Sequence, residues 1–391
     1  MTATASGGRG EPPLTGVRND LVARLLEHLA LVCVTGEEGP IADAVEARYR
    51  HLGEPVARVG HSLVVGAPCE ADGEAAGRPL VLLVGHLDVV PPTDADRDPH
   101  LAEIADGEVV VGRGASDMKG GNVVAMRLFE DLGLRGRSPY HLVLVLYAGE
   151  EGPAEGNELE EVLARIPWLT EAALAIVLEP TDGRVELGCL GGLHAQVAFV
   201  GAQAHSARPW QGRNALTMAG AFLAELEDDH VREVEVDGLA YRDVWSATQG
   251  WTAGLGPEPD PAAARARNVI PGRFTINLNL RFAPSRTLEE AEDELRARVG
   301  SRAEVTVIDR SPPAPPHRAT PIVDAFVTRV GAPVGGKQAW TDVARFARHG
   351  VPAVNYGPGL TAQAHQRAEH VPVAALVAAD RRLRRFLDPH H

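Results

Sequence analysis

Hydrophobic and polar positions alternate between two textures along this chain. Residues 79–84 (PLVLLV), 141–146 (HLVLVL) and 172–178 (AALAIVL) are nearly unbroken apolar runs, each short enough for a strand. Such runs suit strands buried on both faces of a largely parallel sheet, with helices covering each side. Helical spacing lies between them, over 122–132 and 158–165, and ahead of them, over 20–34. Thr35, three residues before Glu38, reads as a capping box opening a further helix to about residue 50. The alternation predicts an α/β domain.

Near residues 188–192 the texture changes. Residues 194–200 (HAQVAFV) and 273–282 (RFTINLNLRF) alternate apolar and polar side chains, as strands with one wet face do. Amphipathic helical patterns follow each, at 214–226 and 287–299. A Pro-rich segment, 311–316 (SPPAPP), leads out, and from residue 321 the first texture resumes, with a helix near 343–348 and a strand at 353–356. The expected fold class is therefore α/β, a mostly parallel mixed sheet flanked by helices. It comprises residues 19–190 and 311–391, with a smaller α+β domain inserted at 191–310, behind a flexible tail of 1–18.

Composition narrows the function. The 391 residues are 45% hydrophobic, ample for two cores, and carry a net charge of -15. Binding to nucleic acid needs clustered Lys and Arg, so no nucleic-acid partner is expected. Cys33, Cys69 and Cys189 are odd in number, far apart and without CxxC spacing. They form neither a disulfide framework nor a thiolate metal site, and a reducing compartment is expected. The start lacks the apolar core of a signal peptide, and no run approaches the roughly 18 apolar residues of a membrane span. A cytoplasmic location with no membrane partner is expected.

Candidate chemistry gathers just past the ends of the predicted buried strands, where open α/β sheets place their sites. His86 and Asp88 stand two apart and face the same way in an extended chain. Asp88 is thus expected to accept the imidazole N–H and aim the other nitrogen at a metal. Asp117 lies in the Gly-rich stretch GRGASDMKGG ahead of a helix, and Glu150 and Glu151 directly follow the strand 141–146. Adjacent carboxylates tend to point apart, so one can bind metal while the other faces substrate. Glu179 ends the strand 172–178, and His365 sits in a loop after NYGPG. Each cluster alone has an ordinary reading as a hydrogen-bonded pair, solvated surface or a turn. Together they supply the N and O ligands that zinc accepts. Competing motifs fail: the P-loop-like 331–337 has Gln338 in place of Ser/Thr, and neither G-x-S-x-G nor H-E-x-x-H occurs.

GHLDVVP, GRGASDMKGG, AGEEG, LEPT and the C-terminal His, in this order and with an inserted domain, resemble the M20 family of di-zinc peptidases and deacylases. The resemblance covers nearly the whole chain after the tail. It implies a zinc-aminopeptidase-like catalytic domain holding two zinc ions, with cobalt or manganese as possible substitutes. Asp117 would bridge them, His86 and Glu179 would complete one site, and Glu151 and His365 the other. Glu150 would be the general base. His205 and Asn268, in the inserted lid, resemble residues that reach a dimer partner's site, which implies a homodimer through the lid. Arg281 resembles a binder of substrate carboxylate. Within the family, residues 204–213 (AHSARPWQGR), 268–272 (NVIPG), 337–346 (KQAWTDVARF) and 351–359 (VPAVNYGPG) are most similar to actinobacterial-type succinyl-diaminopimelate desuccinylases. The implied substrate is a small N-acyl amino acid, N-succinyl-LL-2,6-diaminopimelate, with acetylornithine or a specialised metabolite as alternatives. A metal- or partner-binding protein that has lost catalysis is disfavoured by the presence of Glu150 and all five ligands. The loop GCLG at 188–191 lacks an arginine that other desuccinylases carry there, and Arg208 is expected to supply that charge.

Overall fold

The unbroken apolar runs form the middle of a large sheet. In the computed structural model, which describes residues 14–31, 33–69, 77–91, 102–253, 267–388 and 390, they are the strands Leu80–His86, His141–Tyr147 and Leu174–Val177. The eight-stranded sheet runs in the order Val56–Val59, Ser62–Val65, His141–Tyr147, Leu80–His86, Leu174–Val177, Ala353–Asn355, Val185–Leu187, Val334–Gly336. The two outermost pairings at the Val56 end are antiparallel, and the next three are parallel. Parallel strands finish on one edge, so His86, Tyr147, Val177 and Asn355 end side by side.

Helices Leu14–Leu29, Gly120–Glu130 and Val373–Leu387 bury Leu21, Leu25, Val123, Val124, Leu128, Leu376 and Leu383 completely. Gly121 lets the middle helix approach the sheet, since a Cβ there would meet the Leu178 carbonyl oxygen at 2.4 Å.

Alternating strands build the second core. A five-stranded antiparallel sheet places Gly191–Val200 between Arg273–Phe282 and Glu304–Ser311. Leu193, Ala195, Val197 and Phe199 of one strand and Phe274, Ile276, Leu278, Leu280 and Phe282 of its neighbour face the helices carrying Phe222, Leu226, Leu295 and Val299. The period of two thus leaves His194, Gln196, Asn277, Asn279 and Arg281 on the opposite face. The described chain divides into two compact units, one within 1–186, 318–334 and 345–391, the other within 187–317 and 335–344.

Several local expectations need correction. The first helix starts at Leu14, so residues 14–18 are helical where a tail was expected; positions 1–13 lie outside the described residues. Thr35 and Glu38 form no capping box. The helix begins only at Gly39, Thr35 Oγ1 donates to Asp88 at 3.0 Å, and Glu38 accepts from the Gly36 N–H instead. The pattern at 214–226 is two helices, Ala215–Met218 and Gly220–Asp228, parting beside Gly220, a poor helix former. Residues 335–344 belong to the second unit rather than the first.

Candidate metal centre

The carboxyl edge of the sheet collects the acidic and histidine residues. His86 is the last residue of its strand, anchored by Asn122 Nδ2, which donates to the His86 carbonyl oxygen at 2.6 Å. Its Nδ1 lies 3.0 Å from the Asp88 carbonyl oxygen and 3.6 Å from the Asp88 carboxylate, and its Nε2 lies 3.2 Å from Asp117. The main partners of the Asp88 carboxylate are the backbone N–H groups of Glu150 and Glu151, at 3.1 and 3.0 Å. Asp88 therefore fixes the turn that presents the two glutamates as well as standing beside the imidazole.

Glu151 pairs with His365, whose Nε2 lies 2.9 Å from one carboxylate oxygen and 3.0 Å from the other; the same nitrogen is 3.7 Å from Asp117. His365 adopts φ +61, an uncommon backbone state for a residue other than glycine, and one that often marks function. Glu179 is buried just beyond Leu174–Val177, the neighbour of the His86 strand. Thr181 and Gly357 exchange hydrogen bonds at 3.0 and 3.2 Å, tying the Glu179 loop to the loop after Asn355. The structure thus brings His86, Asp117, Glu151 and His365 together and sets Glu179 on the same edge.

His86, Asp117 and Glu151 each present one donor atom, all within 4.8 Å of one another. Donors around a tetrahedral zinc stand about 3.4 Å apart, close to the 3.2 Å and 2.9 Å separations of His86–Asp117 and His365–Glu151. Among the described residues, Asp117 and Glu151 form ion pairs with histidines only, and with neither Lys nor Arg. Burial opposes a charged His86, yet its hydrogen bonds with Asp117 and Asp88 and the charge of Glu150 hold its pKa well above the usual value. Glu151 does the same for His365. A pocket that draws protons onto its imidazoles in this way carries uncompensated negative charge, and the donor set fits divalent metal.

Residues without a sequence signal complete the site. Glu369 is buried against the Asp117 loop, and burial raises its pKa to about 7. Lys119, in the Gly-rich stretch, is buried and donates to the carbonyl oxygens of His28 and Leu31, so it serves as a strut.

The second unit carries the other expected site residues. His205 pairs with Val269 in a two-stranded ribbon, and Ser206 N–H donates to the Asn268 carbonyl oxygen at 2.8 Å, so His205 and Asn268 are neighbours. Both are exposed, as is Arg208. His205 Nδ1 accepts the Ala207 N–H at 3.1 Å, which leaves Nε2 as the protonated nitrogen of the neutral ring. The Arg281 guanidinium lies across Gly192, where a Cβ would stand 2.8 Å from its Nη1. Cys189, in the loop at 188–191, is fully buried.

This chain belongs to peptidase family M20/M25/M40, which matches residues 82–388. It is a metal-dependent amide hydrolase. Along its sequence it is 36% identical over 365 residues to the "Putative succinyl-diaminopimelate desuccinylase DapE" of Mycobacterium tuberculosis, covering 92% of this chain and 96% of the relative. The succinyl-diaminopimelate desuccinylase of Corynebacterium glutamicum is 33% identical, covering 90% and 92%. The fold is shared with a Staphylococcus aureus tripeptidase (TM-score 0.71, 17% identity, 95% and 98% covered). It is shared also with an M20 metallo-carboxypeptidase of Sulfolobus solfataricus (TM-score 0.68, 18% identity, 94% and 98% covered). A dinuclear metal-binding M20 peptidase of Bacillus subtilis has the same fold (TM-score 0.62, 12% identity, 95% and 98% covered). No helix among the described residues is long and apolar enough to cross a membrane.

Proposed function

We propose that this chain hydrolyses the succinyl amide of N-succinyl-LL-2,6-diaminopimelate, giving succinate and diaminopimelate. The observation that carries this reading is its likeness, over 92% of its length, to a relative named for that reaction. Two zinc ions are the proposed metals; Asp117, His86 and Glu179 would hold one, and Asp117, Glu151 and His365 would hold the other. Cobalt or manganese suits the same donors. When bound, the ions supply Lewis acidity and make water a nucleophile near neutral pH.

Glu150, whose backbone N–H is held by Asp88, takes the proton of the attacking water and returns it to the leaving amine. His205 Nε2–H donates to the carbonyl oxygen as it gains charge, a contribution whose loss typically costs about 10²–10³ in rate. Arg281 and Arg208 present guanidinium forks to substrate carboxylates, and Asn268 helps His205 stabilise the oxyanion. The protein works as a cytoplasmic homodimer through its second unit, His205 and Asn268 serving the partner's site.

Steady-state kinetics on the zinc-loaded protein test the substrate. A kcat/KM at least about 100-fold higher for N-succinyl-LL-2,6-diaminopimelate than for acetylornithine is expected, about 3 kcal/mol of discrimination. Equal or greater activity on acetylornithine overturns the assignment.

A further inference from the structure

Glu369 follows His365 by four residues, and its side chain is only 2% exposed. Its carboxylate accepts three backbone N–H groups from a single loop: Gly114 at 2.8 Å on one oxygen, Ser116 and Asp117 at 2.9 Å each on the other. The Glu369 carbonyl oxygen accepts the Gly112 N–H at 2.9 Å. Ser116 Oγ donates to the His370 carbonyl oxygen at 2.7 Å and accepts the Leu360 N–H at 3.0 Å. Arg113 Nη1 stands 3.7 Å from Glu369 and donates to the Gln366 carbonyl oxygen at 3.1 Å. The segment bearing Asp117 and the segment bearing His365 are stitched together, and the Glu369 carboxylate is the knot.

A buried carboxylate is a costly way to fill space, because the charge leaves water. It is the right group for gathering N–H donors that point the same way, since it accepts on two oxygens at once. Asp117 has most to gain from being fixed. One of its carboxylate oxygens faces His86 at 3.2 Å and the other faces His365 at 3.7 Å. Any tilt of the Ser116–Asp117 peptide moves both oxygens together.

We propose that Glu369 is a positioning residue, which sets the Asp117 carboxylate relative to His365 and so fixes the spacing of the two metal positions. The inference rests on the proposed assignment of Asp117 and His365 as metal ligands. Glutamine at 369 keeps the volume and one acceptor oxygen, but turns an NH₂ group toward an N–H donor.

The test uses metal-stripped full-length protein titrated with cobalt(II), followed by visible d–d absorption and calorimetry. Wild type, Glu369→Gln and Glu369→Ala are compared, with the melting temperature of each metal-free protein as the control for folding. The first equivalent of cobalt is expected to weaken by less than about tenfold in the variants, because His86 and Glu179 would still hold it and only one Asp117 oxygen shifts. The second is expected to weaken about 10–100-fold in both variants, with an altered absorption envelope. At saturating metal, kcat should fall by a similar factor while KM stays within about threefold. Wild-type cobalt affinities and spectrum in both variants overturn the proposal, as does a lowered melting temperature accompanied by unchanged cobalt binding. Should wild type bind fewer than two cobalt ions and turn over neither acyl substrate, the proposed function fails. Glu369 is then judged on the remaining cobalt spectrum, which both variants must alter if the proposal is to stand.

Discussion

Two side chains carry predictions at the scale of the residue. Glu150 stands beside Glu151 in sequence, but only Glu151 is paired with His365. Replacing Glu150 with Gln removes the proposed proton acceptor and leaves the metal donors in place. The expected outcome is a kcat lowered about 10³-fold or more with unchanged zinc content by atomic absorption; loss of zinc in this variant would sink the role. His28 is buried in the first helix, and burial, then the charges of Lys119, Arg48 and Arg24, push its pKa down to about 3. A histidine in the unfolded chain titrates near 6.5. Between these values the unfolded chain holds a proton that the folded chain lacks. Its contribution is therefore present above pH 6.5 and lost as pH falls toward 3, by about 4–5 kcal/mol at most. His28→Gln should flatten the acid limb of stability in urea melts at pH 7 and pH 5; parallel limbs for the variant and the wild type would refute this.

At the scale of elements, strand ends and the loops behind them make the site. Gly357 shows how tight the fit is: a Cβ there would stand 2.2 Å from the Leu178 carbonyl oxygen and 2.5 Å from that of Glu179. Gly357→Ala must push the Glu179 strand end away. It is expected to cost about 2–3 kcal/mol in denaturant melts and to weaken metal binding, whereas a variant with wild-type zinc affinity would show that the strand end yields freely. The buried parallel strands were legible because the apolar runs at 79–84, 141–146 and 172–178 are short and alternate with stretches of helical spacing. The hairpin of Val231–Val236 and Leu239–Ala253 was not legible, since the first strand is largely exposed and a buried position of the second is Asp243, paired with Arg232, which breaks the apolar alternation. Glu369 was missed for a similar reason: its partners are amides more than 250 positions away, and no side-chain pattern records them.

At the scale of the whole molecule, metal is expected to support both turnover and stability. Chelation should abolish turnover and lower the melting temperature. Zinc at about 100 times its dissociation constant should restore roughly 2.7 kcal/mol of stability. A chelated protein that melts as before would argue against a site that ties these loops together. The homodimer has its own test, in which His205→Ala and Glu150→Gln subunits are mixed, unfolded together and refolded. If His205 serves the partner's site, half the sites of each mixed dimer recover, or about a quarter of wild-type activity overall. No recovery in verified mixed dimers would place His205 in its own subunit's site.

Short-range patterns and residue chemistry are legible in the order of residues alone: the α/β texture and its interruption, the acidic and histidine residues at strand ends, and the ordered motifs that mark the M20 family. Tertiary structure alone decided how those residues are held. Asp88 gathers the amides of Glu150 and Glu151, Thr35 leaves its expected cap for Asp88, and Glu369 clamps the Asp117 loop. The physical reason is that a buried carboxylate recruits whatever backbone N–H groups the fold brings within about 3 Å. Backbone groups are the same in every residue, so sequence cannot say which ones will arrive.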